Sequence, residues 1–284
     1  MPLVTSKELL EDAQKNGYAV GAFNVENMEM IMAVLAAAEE KKSPVIMQTT
    51  PGTIKYAGLD FYLANVRAAG ERTKVPVVMH LDHGNSFELA MEAYRTGYTS
   101  IMIDGSRLPF EENIALTKSV TDAAHPGRVP VEGELGKVGG KEDDLDNGDG
   151  ENPYTDPLEA KEFVERTHVD SLAVGVGTSH GVYKGTPKVN VDVLSQIREV
   201  VDIPLVLHGT SGVPDEQVSE CVKRGICKVN YATDLRIAFT KGVKKYMQDN
   251  PEAFDPKKYS AYGMEEIKQY VMQKMEVLGS AGRA

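Results

Sequence analysis

Hydrophobic runs typical of buried β-strands alternate with helix-like segments eight times along this chain. The runs are rich in Val, Ile and Leu, as expected of parallel strands that are covered on both faces. They span residues 19–24, 44–49, 75–81, 100–104, 129–135, 171–177, 203–208 and 227–230. Eight strand-helix units predict an α/β fold in which the strands close into a (β/α)8 barrel, the TIM barrel.

The segments between the runs begin with residues that favour helix N-termini. These residues are Ser6, Asn27, Ser86, Asp156 and Asp215. Residues 264–278 add an amphipathic segment beyond the eight units. This segment predicts an extra C-terminal helix that packs outside the barrel or against another subunit. We therefore expect residues 1–284 to form a single TIM-barrel domain.

The charge of the chain excludes some classes of partner. A net charge of -11 disfavours nucleic acid and anionic membranes, although a pocket can still carry local positive charge for a small anion. No apolar run of about 18 residues and no N-terminal signal segment is present, so a cytoplasmic protein is expected. Cys221 and Cys227 lack metal-ligand spacing and are predicted to be buried small hydrophobic residues.

Three histidines lie at the ends of strand-like runs, where barrel enzymes collect their active-site groups. They are His83, His180 and His208, and each is followed by a glycine that lets the backbone turn closely around a ligand. One such histidine would more often be structural. Three together predict a catalytic Zn²⁺ site with one ion per chain and an open fourth position for substrate.

Carboxylates accompany these histidines. Asp82 adjoins His83, Asp104 ends the fourth run, and Glu132 and Glu134 share one face of the fifth. A carboxylate inside a barrel is costly unless it is paired or bound to metal, so these positions indicate function. The alternative is that some only orient the imidazoles, and this applies most to Glu132.

Two glycine-containing segments predict a phosphate site. Gly209, Thr210, Ser211 and Gly212 follow the seventh run. Residues 230–234 follow the eighth and lead into a helix, whose N-terminal N–H groups can face an anion. Gly181 and Lys184, just after His180, would complete this cradle.

Residues 139–157 are acidic and rich in glycine, and they follow the fifth run. They predict either a surface loop or a catalytic lid, because long loops on this face of a barrel carry mobile groups. If these residues form a lid, it would span about 137–156, and Gly139 and Gly140 would be its hinge. Glu142 or Asp143 would be the group that it carries.

The chain resembles the class II, zinc-dependent ketose-bisphosphate aldolases over essentially its whole length. The matching motifs occur in order as AFNVENME, HLDHG, IMIDGS, VEGELGKVGGKEDD, GTSHGVYKG, LHGTSG and KVNYAT. The resemblance implies that the three histidines hold the zinc. It also implies that Asp82 transfers a proton at the C4 hydroxyl and that Glu142 exchanges the proton at C3 of dihydroxyacetone phosphate.

The resemblance also implies roles for other residues. Asp104 and Glu134 match positions that can hold a second metal, and Asn24 would contact the substrate chain. The positions expected to bind the phosphate are Gly181, Lys184, Gly209, Ser211, Asn230 and Thr233. Further substrate contacts are expected from Thr50, Thr210, Tyr231 and Ala232. A monovalent cation near the phosphate is a common accessory of the family.

The sequence also bears on alternatives to metal chemistry. A Schiff-base aldolase needs a buried lysine in the barrel, and the sixth run, SLAVGVG, has none. Lys228, in the eighth run, is expected to pair with a carboxylate near the barrel base. Two further hypotheses are a noncatalytic phosphosugar-binding barrel with structural zinc and a metal-dependent phosphosugar epimerase. A binder would have no need for both Asp82 and Glu142.

The choice of sugar depends on few residues. Ala232 and the TPGT motif from Thr50 resemble the branch that cleaves tagatose 1,6-bisphosphate, with fructose 1,6-bisphosphate the alternative. Ala261 lies where several relatives have an arginine for the distal phosphate. Arg107, Lys257 or Lys258 would then substitute for it, or the distal group is not a phosphate. The hypothesis of an aldolase for 6-phospho-5-dehydro-2-deoxygluconate therefore stays open.

The protein is expected to form a homo-oligomer, either a dimer or a tetramer.

Overall fold

The computed structural model describes residues 3–136, 138–142, 145–146, 154–183, 185 and 187–284. The strands in this part of the chain are β1 (Val20–Asn24), β2 (Val45–Thr49), β3 (Val77–Gly84), β4 (Ser100–Ile103), β5 (Val131–Leu135), β6 (Gly139–Glu142), β7 (Leu145–Asp146), β8 (Ser171–Val174), β9 (Ser179–His180), β10 (Leu205–Leu207) and β11 (Ile226–Tyr231). Among the described residues, eight parallel strands close a barrel in the order β1-β2-β3-β4-β5-β8-β10-β11. The predicted TIM barrel is confirmed.

Helices surround the barrel between successive strands. They are α1 (Ser6–Asn16), α2 (Met28–Lys41), α3 (Pro51–Ala57), α4 (Leu59–Glu71), α5 (Phe87–Thr96), α6 (Phe110–Ala124), α7 (Pro157–Thr167), α8 (Val191–Val200), α9 (Asp215–Lys223), α10 (Thr233–Asp249) and α11 (Pro256–Val277), with a 3-10 turn at His125–Gly127. No helix of the described chain is both long enough and apolar enough to cross a membrane.

Three of the predicted helix starts are confirmed as side-chain caps. Asn27, Ser86 and Asp156 each accept a hydrogen bond from a backbone N–H in the first turn of α2, α5 and α7. The other two lie one position inside their helices. Ser6 and Asp215 are the first residues of α1 and α9, which Thr5 and Pro214 precede. Polar side chains are common in the first turn as well as at the cap, so sequence alone leaves this offset open.

The C-terminal helix is longer than predicted. Helix α11 begins at Pro256, where the Asp255 side chain caps it and proline occupies a first-turn position. Its N-terminal part lies against α10 so closely that a Cβ on Gly242 would be 2.3 Å from the Tyr262 carbonyl oxygen. The polar residues at 256–263 predict a loop, but Ser260 and Gly263 are buried in this part of the helix. The helix packs outside the barrel, against α10 and α2.

The two ends of the barrel interior differ in polarity. At the N-terminal end, helix α1 contributes Leu10 and Ala13 to an apolar cluster with Val20, Val78 and Cys227. Both cysteines are buried, as predicted. Towards the carboxyl ends of the strands the interior becomes polar and carries the candidate site. This end of the barrel is therefore the one built for chemistry.

The acidic segment after β5 contains regular structure that its sequence does not predict. β6 pairs antiparallel with β7 and parallel with β9, forming a small sheet beside the barrel mouth. The pairing uses backbone groups, so a segment without an alternating apolar pattern can still form it. Asp143 and the other residues of this segment at 137, 144 and 147–153 lie outside the described part of the chain.

Candidate active site

The three predicted histidines converge at the barrel mouth. The ring centroid of His83 lies 4.9 Å from that of His180 and 4.7 Å from that of His208. One nitrogen from each ring can be chosen so that all three lie within 4.8 Å of one another. All three side chains are buried. This spacing suits three ligands of a single metal ion.

Different elements bring these histidines together. His83 lies within β3 at a left-handed φ of 49°, beside an irregularity in the pairing of β3 with β4. His208 directly follows β10. His180 does not end a barrel strand as predicted, because β8 stops at Val174 and His180 belongs to β9. β9 pairs with β6, so the chain leaves the barrel after β8 and joins the small sheet as a separate strand.

In two of the histidine rings, a hydrogen bond to a carboxylate determines which nitrogen is available to bind a metal. Nδ1 of His83 lies 2.8 Å from Asp104 Oδ2, and Nε2 of His208 lies 3.0 Å from Glu132 Oε1. Because a carboxylate accepts, each of these nitrogens carries the proton in the neutral ring. Nε2 of His83 and Nδ1 of His208 are then free to donate a lone pair. A carboxylate behind the ring is the usual support of a metal-binding histidine.

Glu134 lies among these rings without a hydrogen-bond donor of its own. Its side chain is fully buried, and neither oxygen accepts a well-aligned hydrogen bond from the described residues. One oxygen, Oε2, lies 3.0 Å from Nδ1 of His208. A lone pair and a carboxylate oxygen repel at this distance unless a proton or cation intervenes. His83, Asp104 and Glu134 also form a second group of potential ligands.

The charges of the site favour a bound cation. Burial by itself lowers the pKa of His83, but Asp82, Asp104 and Glu134 outweigh it and raise that pKa to about 10. Burial, with the neighbouring His83 and His208, lowers the pKa of His180 well below its usual range. The carboxylates thus stabilise a positive charge at His83, which is either a second ring proton or, in its place, a metal ion on Nε2. His180 is neutral, the form that binds metal. The donor set fits a divalent ion.

Two asparagines hold Asp82 beside the histidine cluster. Nδ2 of Asn24, from β1, donates to Asp82 Oδ2 at 2.8 Å, and Nδ2 of Asn230, from β11, donates to Oδ1 at 3.0 Å. Gln48 in turn donates to Asn24 Oδ1 at 2.8 Å. Burial by itself raises the pKa of Asp82, but the charges of His83, His208 and Lys228 hold it below its usual range. The carboxylate is fixed, ionised and 4.0 Å from Nε2 of His83.

Beneath the histidines, a buried ion pair occupies the barrel interior. Nζ of Lys228 lies 2.9 Å from Glu132 Oε2, and both side chains are buried. Burial by itself raises the pKa of Glu132, but Lys228 and His208 hold it below its usual range. The expected pairing of Lys228 is confirmed. Glu132 therefore supports His208 from behind.

The two predicted phosphate segments meet at the start of α10. Oγ of Ser211 lies 3.4 Å from the backbone N of Ala232 and 3.3 Å from that of Asp234, and it can accept from both. The Asp234 carboxylate accepts from the backbone N–H of Gly212 and from the hydroxyl of Tyr270. The glycine loop is thus fastened to a helix N-terminus, where backbone donors favour an anion.

The remaining predicted substrate-binding residues differ in burial and in the elements that carry them. Thr50 is buried and caps α3, Thr210 is buried next to β10, and Thr233 begins α10. The side chain of Tyr231 is buried and packs against the rings of Phe23 and Tyr270. Arg107 is exposed beyond β4. Lys184 and the side chain of Glu142 lie outside the described part, although the backbone of Glu142 ends β6.

Two residues of this region escape prediction from sequence. Gln48 orients Asn24, and its position as the polar residue near the end of an apolar strand, VIMQT, is the only clue. Tyr183 bridges two loops: its hydroxyl accepts from the backbone N–H of Ser179 at 2.6 Å and donates to the Gly209 carbonyl at 2.8 Å. Nothing local to Tyr183 indicates this long-range contact.

The closed barrel and the cluster of histidines and carboxylates at its mouth define a TIM-barrel protein able to hold a divalent metal. Comparison with known proteins is more specific. Residues 4–283 match the family model of class II fructose-bisphosphate aldolases. The chain therefore belongs to this family and is an aldolase, a carbon–carbon lyase.

Solved structures of aldolases share the whole fold. The YdjI aldolase from Escherichia coli K12 is 37% identical, with 99% of each chain covered and a TM-score of 0.88. A putative fructose-1,6-biphosphate aldolase from Coccidioides immitis is 30% identical, with 97% of this chain and 96% of that chain covered and a TM-score of 0.88. Fructose-bisphosphate aldolase from Campylobacter jejuni is 25% identical, with 100% and 97% covered and a TM-score of 0.82.

Proposed function

We propose that the protein is a zinc-dependent aldolase that reversibly cleaves a ketose 1,6-bisphosphate to dihydroxyacetone phosphate and glyceraldehyde 3-phosphate. The observation that carries this proposal is the group of three histidine nitrogens within 4.8 Å of one another, next to an ionised Asp82. His83, His180 and His208 would hold the ion. Zinc, when bound, supplies electrophilic stabilisation of the negative charge that develops on the ketose oxygens.

Asp82 would transfer the proton at the C4 hydroxyl. A general acid or base must be held within hydrogen-bond reach of the proton that it moves. The amide groups of Asn24 and Asn230 fix both carboxylate oxygens, so Asp82 keeps one orientation at the mouth. Each oxygen keeps lone pairs for the substrate. Asn24 and Asn230 would thus act first by orienting Asp82, besides any contact with the sugar.

Glu142 would exchange the proton at C3 of dihydroxyacetone phosphate. Its backbone lies in β6, whose pairing partner β9 contains His180. The role is supported by this pairing, because it holds the backbone of β6 next to a proposed metal ligand. Asp104 and Glu134 would provide a second metal position with His83.

The phosphate of dihydroxyacetone phosphate would bind at the start of α10. The proposed contacts come from Gly181, Lys184, Gly209, Ser211, Asn230 and Thr233, with Thr50, Thr210, Tyr231 and Ala232 at its edges. A helix N-terminus attracts an anion through its free N–H groups and its dipole. A monovalent cation near this phosphate would assist its binding.

Tagatose 1,6-bisphosphate is the favoured substrate. This choice is supported by Ala232 and by the TPGT motif from Thr50, which resemble the tagatose branch of the family. Arg107 would meet the distal phosphate from its exposed position after β4. We further propose that residues 1–284 act as one catalytic domain in a cytoplasmic homo-oligomer.

The test compares both bisphosphates with the zinc-loaded protein. Tagatose 1,6-bisphosphate is expected to be cleaved at least as fast as its fructose epimer, with both triose phosphates as products. A strong fructose preference would overturn the tagatose assignment. Failure to cleave either sugar, together with cleavage of 6-phospho-5-dehydro-2-deoxygluconate, would replace the substrate class.

Two variants separate the proton-transfer roles. Asp82→Ala is expected to lower cleavage by about 10² to 10⁴ while C3 hydrogen exchange of dihydroxyacetone phosphate continues. Glu142→Ala is expected to slow that exchange by a similar factor and cleavage with it. Exchange is measured by deuterium uptake and cleavage by coupled assay. Equal losses of both reactions in both variants would contradict the assignment.

A further inference from the structure

The loop after β10 and strand β9 touch through their backbones. Gly209 has a left-handed φ of 62°, and a Cβ built on it would lie 2.7 Å from the carbonyl carbon and oxygen of Ser179. No side chain fits at this contact. The glycine loop of the phosphate segment therefore lies directly against the residue that precedes His180.

Tyr183 fastens this contact. Its hydroxyl accepts from the N–H of Ser179 and donates to the carbonyl of Gly209, at 2.6 and 2.8 Å. Its ring also lies beside Gly212, where a Cβ would be 3.5 Å from Tyr183 Cδ2. One side chain thus contacts both ends of the glycine loop and the backbone of β9.

Strand β9 continues the connection to β6. Gly140 pairs with His180, and a Cβ on Gly140 would lie 2.2 Å from the His180 carbonyl oxygen. Gly140 also has a left-handed φ of 86°. The two strands are therefore in close backbone contact, and β6 ends at Glu142. A continuous path of backbone contacts joins the glycine loop to the backbone of Glu142.

We propose that Tyr183 is a positioning residue that couples phosphate binding at the glycine loop to the placement of β6, and so to proton transfer by Glu142. This inference rests on the proposed function. When phosphate binds to residues 209–212 and holds them in one position, the two hydrogen bonds of Tyr183 hold Ser179. The pairing of β9 with β6 then holds the backbone of Glu142. Binding energy from the nonreacting phosphate then helps to position the base that removes the proton from C3.

Coupling of this kind makes a kinetic prediction. Deuterium exchange at the carbon of dihydroxyacetone, which lacks the phosphate, should speed up when inorganic phosphite is added separately. We expect activation of about tenfold or more in the wild-type zinc enzyme, which corresponds to about 1.4 kcal/mol of coupling. In Tyr183→Phe, activation by phosphite, measured relative to that variant's own exchange without phosphite, should fall below about threefold.

A matched tyrosine provides the control. Tyr62 also donates its hydroxyl to a backbone carbonyl, that of Glu26 at 2.9 Å, but it lies on α4, and none of its described contacts reaches the glycine loop. Tyr62→Phe should keep full phosphite activation. Equal activation in Tyr183→Phe and wild type, or equal loss in both variants, would overturn the role of Tyr183.

A second measurement does not depend on catalysis, and its first part uses only the wild-type protein. Amide hydrogen exchange of peptides covering residues 139–142, followed by mass spectrometry, should slow on addition of phosphite to the wild-type zinc protein. The same peptides should not respond in Tyr183→Phe. Absence of any response in wild type would overturn the coupling. Failure of wild type to exchange C3 of dihydroxyacetone phosphate would instead overturn the proposed function, whatever the peptides show.

Discussion

Lys228 and Glu132 show how single residues inside the barrel support the site. The Lys228 side chain is fully buried and its ammonium group lies 2.9 Å from Glu132, which also accepts from His208. Two buried charges are tolerated because they compensate each other, whereas either alone would be costly. Because Lys228 compensates its charge, Glu132 can stay ionised in the interior and accept a hydrogen bond from the proposed metal ligand His208.

Removing one member of this pair should cost more than removing both. Lys228→Met is expected to lower the free energy of unfolding by about 3–5 kcal/mol because it leaves Glu132 buried without its cation. Adding Glu132→Gln, which keeps an acceptor for His208 but no charge, should recover part of this loss. Urea denaturation in the presence of chelator measures all variants without a contribution from metal.

A surface ion pair is the control for this experiment. Lys241 and Glu266 are 2.8 Å apart at the surface, where 66% of the Lys241 side chain and 33% of the Glu266 side chain are accessible. Lys241→Met should therefore cost about 1 kcal/mol or less. Losses that simply add in the double variant of Lys228 and Glu132 would contradict the charge-compensation argument.

At the scale of elements, the contact between α10 and α11 is defined by two glycines. A Cβ on Gly242 would lie 2.3 Å from the Tyr262 carbonyl oxygen, and one on Gly263 would lie 2.5 Å from the Phe239 ring. The first neighbour is backbone and cannot turn aside. α10 begins at the phosphate segment, so its packing against α11 also holds one side of the site.

Gly242→Ala should destabilise the protein even though alanine is the better helix former. Alanine gains about 1 kcal/mol in helix propensity. Overpacking costs about 1–3 kcal/mol, and a clash with rigid backbone lies at the upper end of that range. The melting temperature should therefore fall. Thr240→Ala, at an exposed position of the same helix, should leave it unchanged or raise it slightly, and a rise in Gly242→Ala would show that the helices separate freely.

At the scale of the whole molecule, metal binding should stabilise the fold. The three proposed ligands come from β3, from β9 and from the loop after β10, so an ion that they share joins distant parts of the chain. Metal that binds only the folded state adds about 4.1 kcal/mol at a concentration 1,000 times its dissociation constant. For a chain of this size that corresponds to a rise of roughly 8 °C in melting temperature.

This linkage can be measured by thermal unfolding with zinc and with chelator. Wild type should melt higher with zinc, and His208→Ala should lose the difference. His125, which lies in the surface turn His125–Gly127 and pairs with Asp170, supplies the control. His125→Ala should keep the zinc-dependent rise. An identical melting temperature of wild type in zinc and in chelator would argue against the proposed metal site.

The sequence by itself determined the barrel and most of the chemical groups at its mouth. Burial on both faces requires apolar runs, and helices require caps and periodicity, so strands and helices leave local patterns that can be read along the chain. His83 and His208 could be placed because the carboxyl ends of barrel strands meet in one region. The pairing of Lys228 also followed, because a lysine in a buried strand needs a carboxylate.

Only the tertiary structure decided how these groups are oriented. Asn24 and Asn230 reach Asp82 from strands that are 58 and 148 residues away in sequence. Glu132 and Asp104 define which nitrogens of His208 and His83 are free, and β9 separates His180 from its barrel strand. These contacts join side chains or backbone groups across different elements. Local periodicity records which face of an element is buried but not which partner covers it, so such pairs are decided by packing in three dimensions.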